Sequence, residues 1–310
     1  MTSRERVKRI SLLCLSLFSS VGYASVATSE SKLIYHVQFK SNKSTCILRI
    51  NDIPAIDTHL ARMGTMSAGF NFSAFLENGH NRIEVLMGPQ DPNKSETLSR
   101  DSSCQVVISK DSIDKSIEIA NFALSVVEDG DISARSSTNH NGNNNHTKIL
   151  EGCTKNKNDY GLYKLESSLI ISNLPKWSWV DATPVSEKDY PAVKLAYQEI
   201  ISAFARRDIQ SLKRATQVSN EEMAAAEGTS PELIFASTGL AEHVLNKKLN
   251  LVPVGWNNYR IIPYRGGRLF RLGVGYYQNS PLRLKDEAGD IIFVYKPYFS
   301  MINGKVVLVR

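Results

Sequence analysis

Phe75-Leu76-Glu77-Asn78-Gly79-His80-Asn81-Arg82-Ile83-Glu84-Val85-Leu86-Met87 is the stretch from which the fold can be read. Asn78-Gly79 offers a position where positive φ carries little strain. After it Ile83, Val85 and Met87 fall at every second position, which sets them on one face of a strand. A turn followed by such alternation is an antiparallel β signal. Toward the N-terminus, Leu33-Ile34-Tyr35-His36-Val37-Gln38-Phe39, Cys46-Ile47-Leu48-Arg49-Ile50 and Phe70 to Phe75 read as further strands. Asn51-Asp52-Ile53-Pro54 ends the second of these.

Toward the C-terminus, Ser116 to Val127 predicts a long strand with a phase slip near Asn121, of the kind a bulge makes. Leu162 to Leu174 is a second long apolar run. The segment 129–157 between them is rich in Ser, Asn, Gly and His and lacks the apolar residues for a core, so it reads as a mobile polar loop. We read the two long strands as hairpin partners with this loop at their tip; an interdomain linker is the alternative. Trp177-Ser178-Trp179 then closes the first domain. Both indoles fall on one side of an extended segment, which suits packing between domains.

The pattern changes after Pro184. Ser186 suits a helix cap, Pro191 the first turn, and Val193, Tyr197, Ile200, Ile201 and Phe204 follow at helical spacing. Further helices are expected from Asp208, from Ser219-x-x-Glu222, and from Ser230-Pro231 through Leu245. Strands are expected at 259–264, 268–277, 291–299 and 305–309. Helices first and an antiparallel sheet afterwards is an α+β arrangement. The expected organisation is a mainly β domain over 25–184 and an α+β domain over 185–310.

Residues 1–24 read as a secretory signal peptide. Arg4, Arg6, Lys8 and Arg9 precede an apolar run, Ile10 to Val21, and the small residues Gly22 and Ala24 flank Tyr23 at a cleavage site. The formal charge of +6 falls to +3 once the four basic residues and Glu5 of that stretch are removed. So mild a charge argues against a nucleic-acid partner. No later run is long and apolar enough for a membrane helix. The mature chain is expected in the periplasm or outside the cell. There two of Cys46, Cys104 and Cys153 can pair; Cys46–Cys104 is favoured because both sit at strand positions of one domain, with Cys153 the rival partner of either.

Candidate chemistry is sparse. Ser29-x-x-Lys32 and Ser112-x-x-Lys115 have a bare catalytic spacing that a Ser- and Lys-rich chain contains by chance. His140 and His146 lie in the polar loop, where nothing rigid would hold a metal, and Asp129-x-Asp131 reads as a turn. No metal site and no cofactor is expected. His243 is the only His of the second domain, and its sequence neighbourhood names no carboxylate to orient it. Tyr259, Arg260, Tyr264, Arg265, Arg268, Arg271, Tyr276 and Tyr277 form a Tyr/Arg cluster on neighbouring strands. These residue types are favoured at interface hot spots, so a partner-binding sheet face is the functional reading and a solvated face the plain one.

Phe75 to Val85 resembles the Gly-x-Asn-x-Ile-x-Val turn of immunoglobulin-like β-sandwiches in exported proteins. The unit from Tyr190 to Arg310 resembles an NTF2-like, or cystatin-like, α+β domain. Together the layout is similar to exported immunity or accessory proteins of type VI secretion effector clusters. That resemblance implies an exported protein that binds a secreted effector and acts by occlusion, without catalysis. The alternatives are an envelope carbohydrate- or peptidoglycan-binding protein using Trp177 and Trp179, and an NTF2-like enzyme centred on His243.

Overall fold

The computed structural model describes residues 33–310 except 59–63, 92, 142–146 and 276–277. The expected signal peptide, His146, Tyr276 and Tyr277 lie outside the described residues.

The N-terminal half is built from β1 (Ile34–Asn42), β2 (Ser44–Ile50), β3 (Ile53–Asp57), β4 (Met66–Asn71), β5 (Gly79–Pro89), β6 (Ser103–Asp111), β7 (Ser116–Val126), β8 (Ile132–Ser133), β9 (Thr138–Asn139), β10 (Leu150–Cys153) and β11 (Tyr163–Ile171). They form two antiparallel sheets. One runs β4-β1-β6-β7-β8, with β9 also on β7; the other runs β10-β11-β5-β2-β3. Inward residues of both sheets make one core, among them Val37 and Phe39 of β1, Leu48 of β2, Ile83 and Val85 of β5, and Phe122 of β7. Cys46 of β2 and Cys104 of β6 are both fully buried and bridge the sheets as a disulfide, with Cα atoms 5.8 Å apart. Cys153 is a free, exposed thiol.

Gly79 adopts positive φ, 96°; β4 pairs with β1, and β5 with β2 and β11, so the turn carries the chain from one sheet to the other. One expectation about connectivity is corrected: β7 and β11 are not hairpin partners; β7 pairs with β6, and β11 with β5. Alternation places side chains on a face but is silent about which strand lies alongside. The segment between them is accordingly no hairpin tip. It crosses the sandwich edge, laying β8 and β9 on β7 and β10 on β11. Asn139 of β9 ties the sheets together, donating to Ser167 Oγ at 2.8 Å and to the Ser168 carbonyl at 3.0 Å. The bulge lies at Ile119, which is skipped between the pairs Ile108↔Ala120 and Ser109↔Glu118.

The C-terminal half starts with α1 (Tyr190–Arg206), α2 (Ile209–Ala215), α3 (Gln217–Glu227), α4 (Pro231–Ser237) and α5 (Leu240–Leu245). Ser186 and Asp189 form a capping box ahead of α1, and Asp208 and Ser230 cap α2 and α4. Ser219 is no cap: α3 starts after Thr216, and Ser219 lies buried within it. The helix expected from Ser230 to Leu245 breaks at Gly239, whose φ of 70° separates α4 from α5. The strands are β12 (Asn250–Leu251), β13 (Arg260–Tyr264), β14 (Leu269–Gly273), β15 (Leu282–Lys285), β16 (Ile291–Tyr295), β17 (Phe299–Ile302) and β18 (Lys305–Leu308). They form a sheet β12-β15-β16 and a sheet β13-β14-β17-β18. The single strand expected over 291–299 is divided around Pro297, which has no N–H for a ladder.

Val193, Tyr197, Ile200 and Phe204 give α1 its buried stripe, packed on Phe270, Leu272 and Phe299 in a second core. The Tyr197 hydroxyl accepts a hydrogen bond from the Leu272 N–H at 3.0 Å, and burial raises its phenol pKa. The first core does not stop at Pro184: Tyr264, Leu269, Tyr298 and Val309 belong to it. The described residues hold together as one compact unit.

Candidate functional site

The Tyr/Arg cluster lies where alternation puts it, but its setting differs from expectation. The register Ile262↔Arg271 and Tyr264↔Leu269 places Tyr264 and Arg271 on one face of β13–β14. That face looks into the sandwich, while Ile261, Phe270 and Leu272 on the other face meet α1. With both faces covered, Tyr259, Tyr264 and Arg271 are buried. Arg271 donates to Tyr264 Oη at 3.0 Å and to Gln278 Oε1 at 2.9 Å, and its guanidinium lies over the Tyr264 and Tyr298 rings. Of the described members only Arg260 is exposed. The expectation of one open Tyr/Arg sheet face is therefore corrected.

Arg265 and Arg268 converge on Glu77, in the very turn that opens β5. Arg268 reaches both carboxylate oxygens at 2.8 Å, and Arg265 binds Glu77 Oε1 and the His80 carbonyl. Burial alone would raise the Glu77 pKa; the hydrogen bonds and charges of Arg268 and Arg265 outweigh it and hold the carboxyl below the usual range. The two indoles lie in the same seam. Trp177 Nε1 donates to the Ser73 and Leu76 carbonyls at 3.2 and 2.9 Å, and Trp179 Nε1 to the Ala74 carbonyl at 3.2 Å. Arg310 lies over Trp177 and Arg268 over Trp179. Both rings are buried, so neither offers the open platform on which a sugar would stack.

His243 stacks on Phe293 with ring centroids 4.4 Å apart, and its Nδ1 lies 2.9 Å from the Gly239 carbonyl. Among the described residues no carboxylate lies within ion-pair distance of it, and no group of three or more His, Cys, Asp or Glu is placed to hold a metal ion.

A hollow in the surface lies elsewhere. A cleft of about 590 Å³ opens between α3, α4, Tyr295 of β16 and Phe75 of the sandwich. Phe75, Met223, Leu233, Ile234 and Tyr295 give it apolar walls, and Glu227 and Arg310 are its charged members. Ser237 and Thr238 also line it; their hydroxyls donate back to the Ile234 and Phe235 carbonyls at 2.8 and 2.6 Å, and Thr238 Oγ1 accepts from the Leu240 N–H at 3.2 Å, which leaves Ser237 Oγ as an acceptor. Leu233, on α4, stands 62 % exposed at this site. A second hollow of about 380 Å³, over Asp52, Arg265 and Arg268, is floored by arginines already engaged with Glu77. The 590 Å³ cleft draws on five separate parts of the chain, and no sequence motif marks it.

No protein family, curated protein or solved structure matches the chain.

Proposed function

We propose that this is an exported binding protein that holds a protein partner in the cleft over α3 and α4 and performs no reaction on it. The partner named by this reading is a secreted toxin, of the type VI kind, which the protein neutralises or accompanies. On the same reading the two halves are an immunoglobulin-like sandwich and an NTF2-like domain. The observation that carries the proposal is the cleft itself. Its walls are mainly apolar, Glu227 and Arg310 are the charged groups among scattered hydroxyls and one side-chain amide, and exposed Leu233 stands where a partner would cover it. An inter-sheet disulfide suits an oxidising compartment. Among the described residues no helix is long and apolar enough to cross a membrane.

The test is affinity purification of the tagged, exported chain from its native host, run beside Leu233→Glu. The exposed position lets the variant fold. One stoichiometric protein retained by the native chain and lost with Leu233→Glu is the expected result. Equal retention by both, or retention of cell-wall glycan in place of protein, overturns the proposal.

A further inference from the structure

We propose that the segment held in the cleft is an extended strand of the partner, paired through its main chain to the outer edge of β16. This rests on the cleft reading above and specifies its occupant.

The argument begins with hydrogen-bond direction. Among the described residues β16 is the terminal strand of its sheet, with β15 on one side only. The Val252 N–H donates to the Arg283 carbonyl at 3.0 Å, so Arg283 turns its backbone groups toward β12. Val294 lies opposite Arg283. In an antiparallel ladder a residue's N–H and C=O point the same way, so Val294 turns both to the open edge. The other end of β16 is closed to regular pairing. Ile292 is skipped between Leu284↔Phe293 and Lys285↔Ile291, and a bulge of this kind blunts an edge. The pairing-competent stretch is thus the end that reaches the cleft at Tyr295.

The cleft continues the same chemistry. Arg310 lines it with a side chain only 1 % exposed, and its Nη2 has no hydrogen-bond partner. The guanidinium charge is already met by Glu222. The missing acceptor is therefore a neutral carbonyl, since an added carboxylate would meet a neutralised arginine and also face Glu227. Ser237 Oγ supplies an acceptor for an N–H group. Neutral donors and acceptors above apolar walls match a peptide main chain with aliphatic side chains. Exposed Leu233 suits the flank of such a strand.

The probe is a displayed decapeptide library panned on the mature protein, with Leu233→Glu and Val294→Pro as comparators. Proline is tolerated where an edge strand's N–H faces away from its ladder, so Val294→Pro removes only the outward donor. Selected peptides should alternate aliphatic residues and lose binding to Leu233→Glu. Val294→Pro, or N-methylation of alternate peptide amides, should each weaken binding by about tenfold. The methylated peptides carry the test if the proline variant does not fold. Binding that survives both but is lost with Leu233→Glu overturns the strand and leaves the cleft reading standing. Failure to enrich any peptide over Leu233→Glu also overturns the strand, and partner capture then judges the cleft by itself. A dimer of the chain that Val294→Pro dissociates overturns it too, by making the occupant a second copy.

Discussion

Between β2 and β6 the interior of the sandwich is filled by Leu48, Val85, Val106 and Phe122 and crossed by the Cys46–Cys104 disulfide. Behind it, where residues 73–77 meet the C-terminal half, the filling is Trp177, Trp179, Arg268, Arg310 and Glu77. Both regions are buried. The first uses shape and area, which are non-directional; the second uses donors, acceptors and charge, each of which needs a particular partner. A core of the first kind tolerates exchange of one aliphatic residue for another, whereas the seam loses most when one member of a pair is removed.

That contrast can be broken or sharpened by substitution. The largest effect is expected for the disulfide, whose residues are separated by 58 positions. Replacing Cys46 and Cys104 with alanine should destabilise the fold by about 4 kcal/mol on the chain-entropy view, read as a fall in the urea midpoint that reductant reproduces in the native protein. Next comes Glu77→Gln, which strips the counter-charge from Arg265 and Arg268. Equilibrium unfolding should show a loss of about 3 kcal/mol. The same variant tests the pH dependence. Because the Glu77 carboxyl is depressed in the fold, its contribution is complete above the unfolded carboxylate pKa and is lost as pH falls through the folded value. Acid unfolding of Glu77→Gln should lack that component; an unchanged acid limb would mean that the pair contributes nothing. Trp179→Phe removes the donor to the Ala74 carbonyl and the better of two faces for Arg268, and should lower stability by about 1.5 kcal/mol. Smallest is Arg268→Lys, at about 1 kcal/mol, because an ammonium cannot grip both Glu77 oxygens and the Val180 carbonyl as the planar fork does. If the four losses came in reverse order, the seam rather than the sandwich would be the stronger half.

What could be read from sequence follows the reach of each signal. Caps at Ser186, Asp208 and Ser230 act over one helical turn and are legible in a short window. The alternation of Ile83, Val85 and Met87 marks a buried face correctly for the same reason. The pairing of Cys46 with Cys104 followed from both being strand positions of one half. Strand partners were not legible, because β5 meets β11 across a long loop and nothing in either strand names the other. Tyr264 and Arg271 show the limit for function. Their shared face was readable, but whether that face meets water or another sheet depends on how two halves dock. The cleft was illegible for that reason too: Phe75, Met223, Leu233, Tyr295 and Arg310 meet only after docking.

The order of pairing has a further consequence, in time. β1 closes on β6, and β5 on β11, so each sheet joins strands far apart in the chain. Such high contact order slows folding, to the millisecond-to-second range for β architectures. Until Tyr163–Ile171 is in place, β5 carries Ile83, Val85 and Met87 beside an unpaired edge. A chain that has emerged no further than residue 162 is thus at its most prone to aggregate.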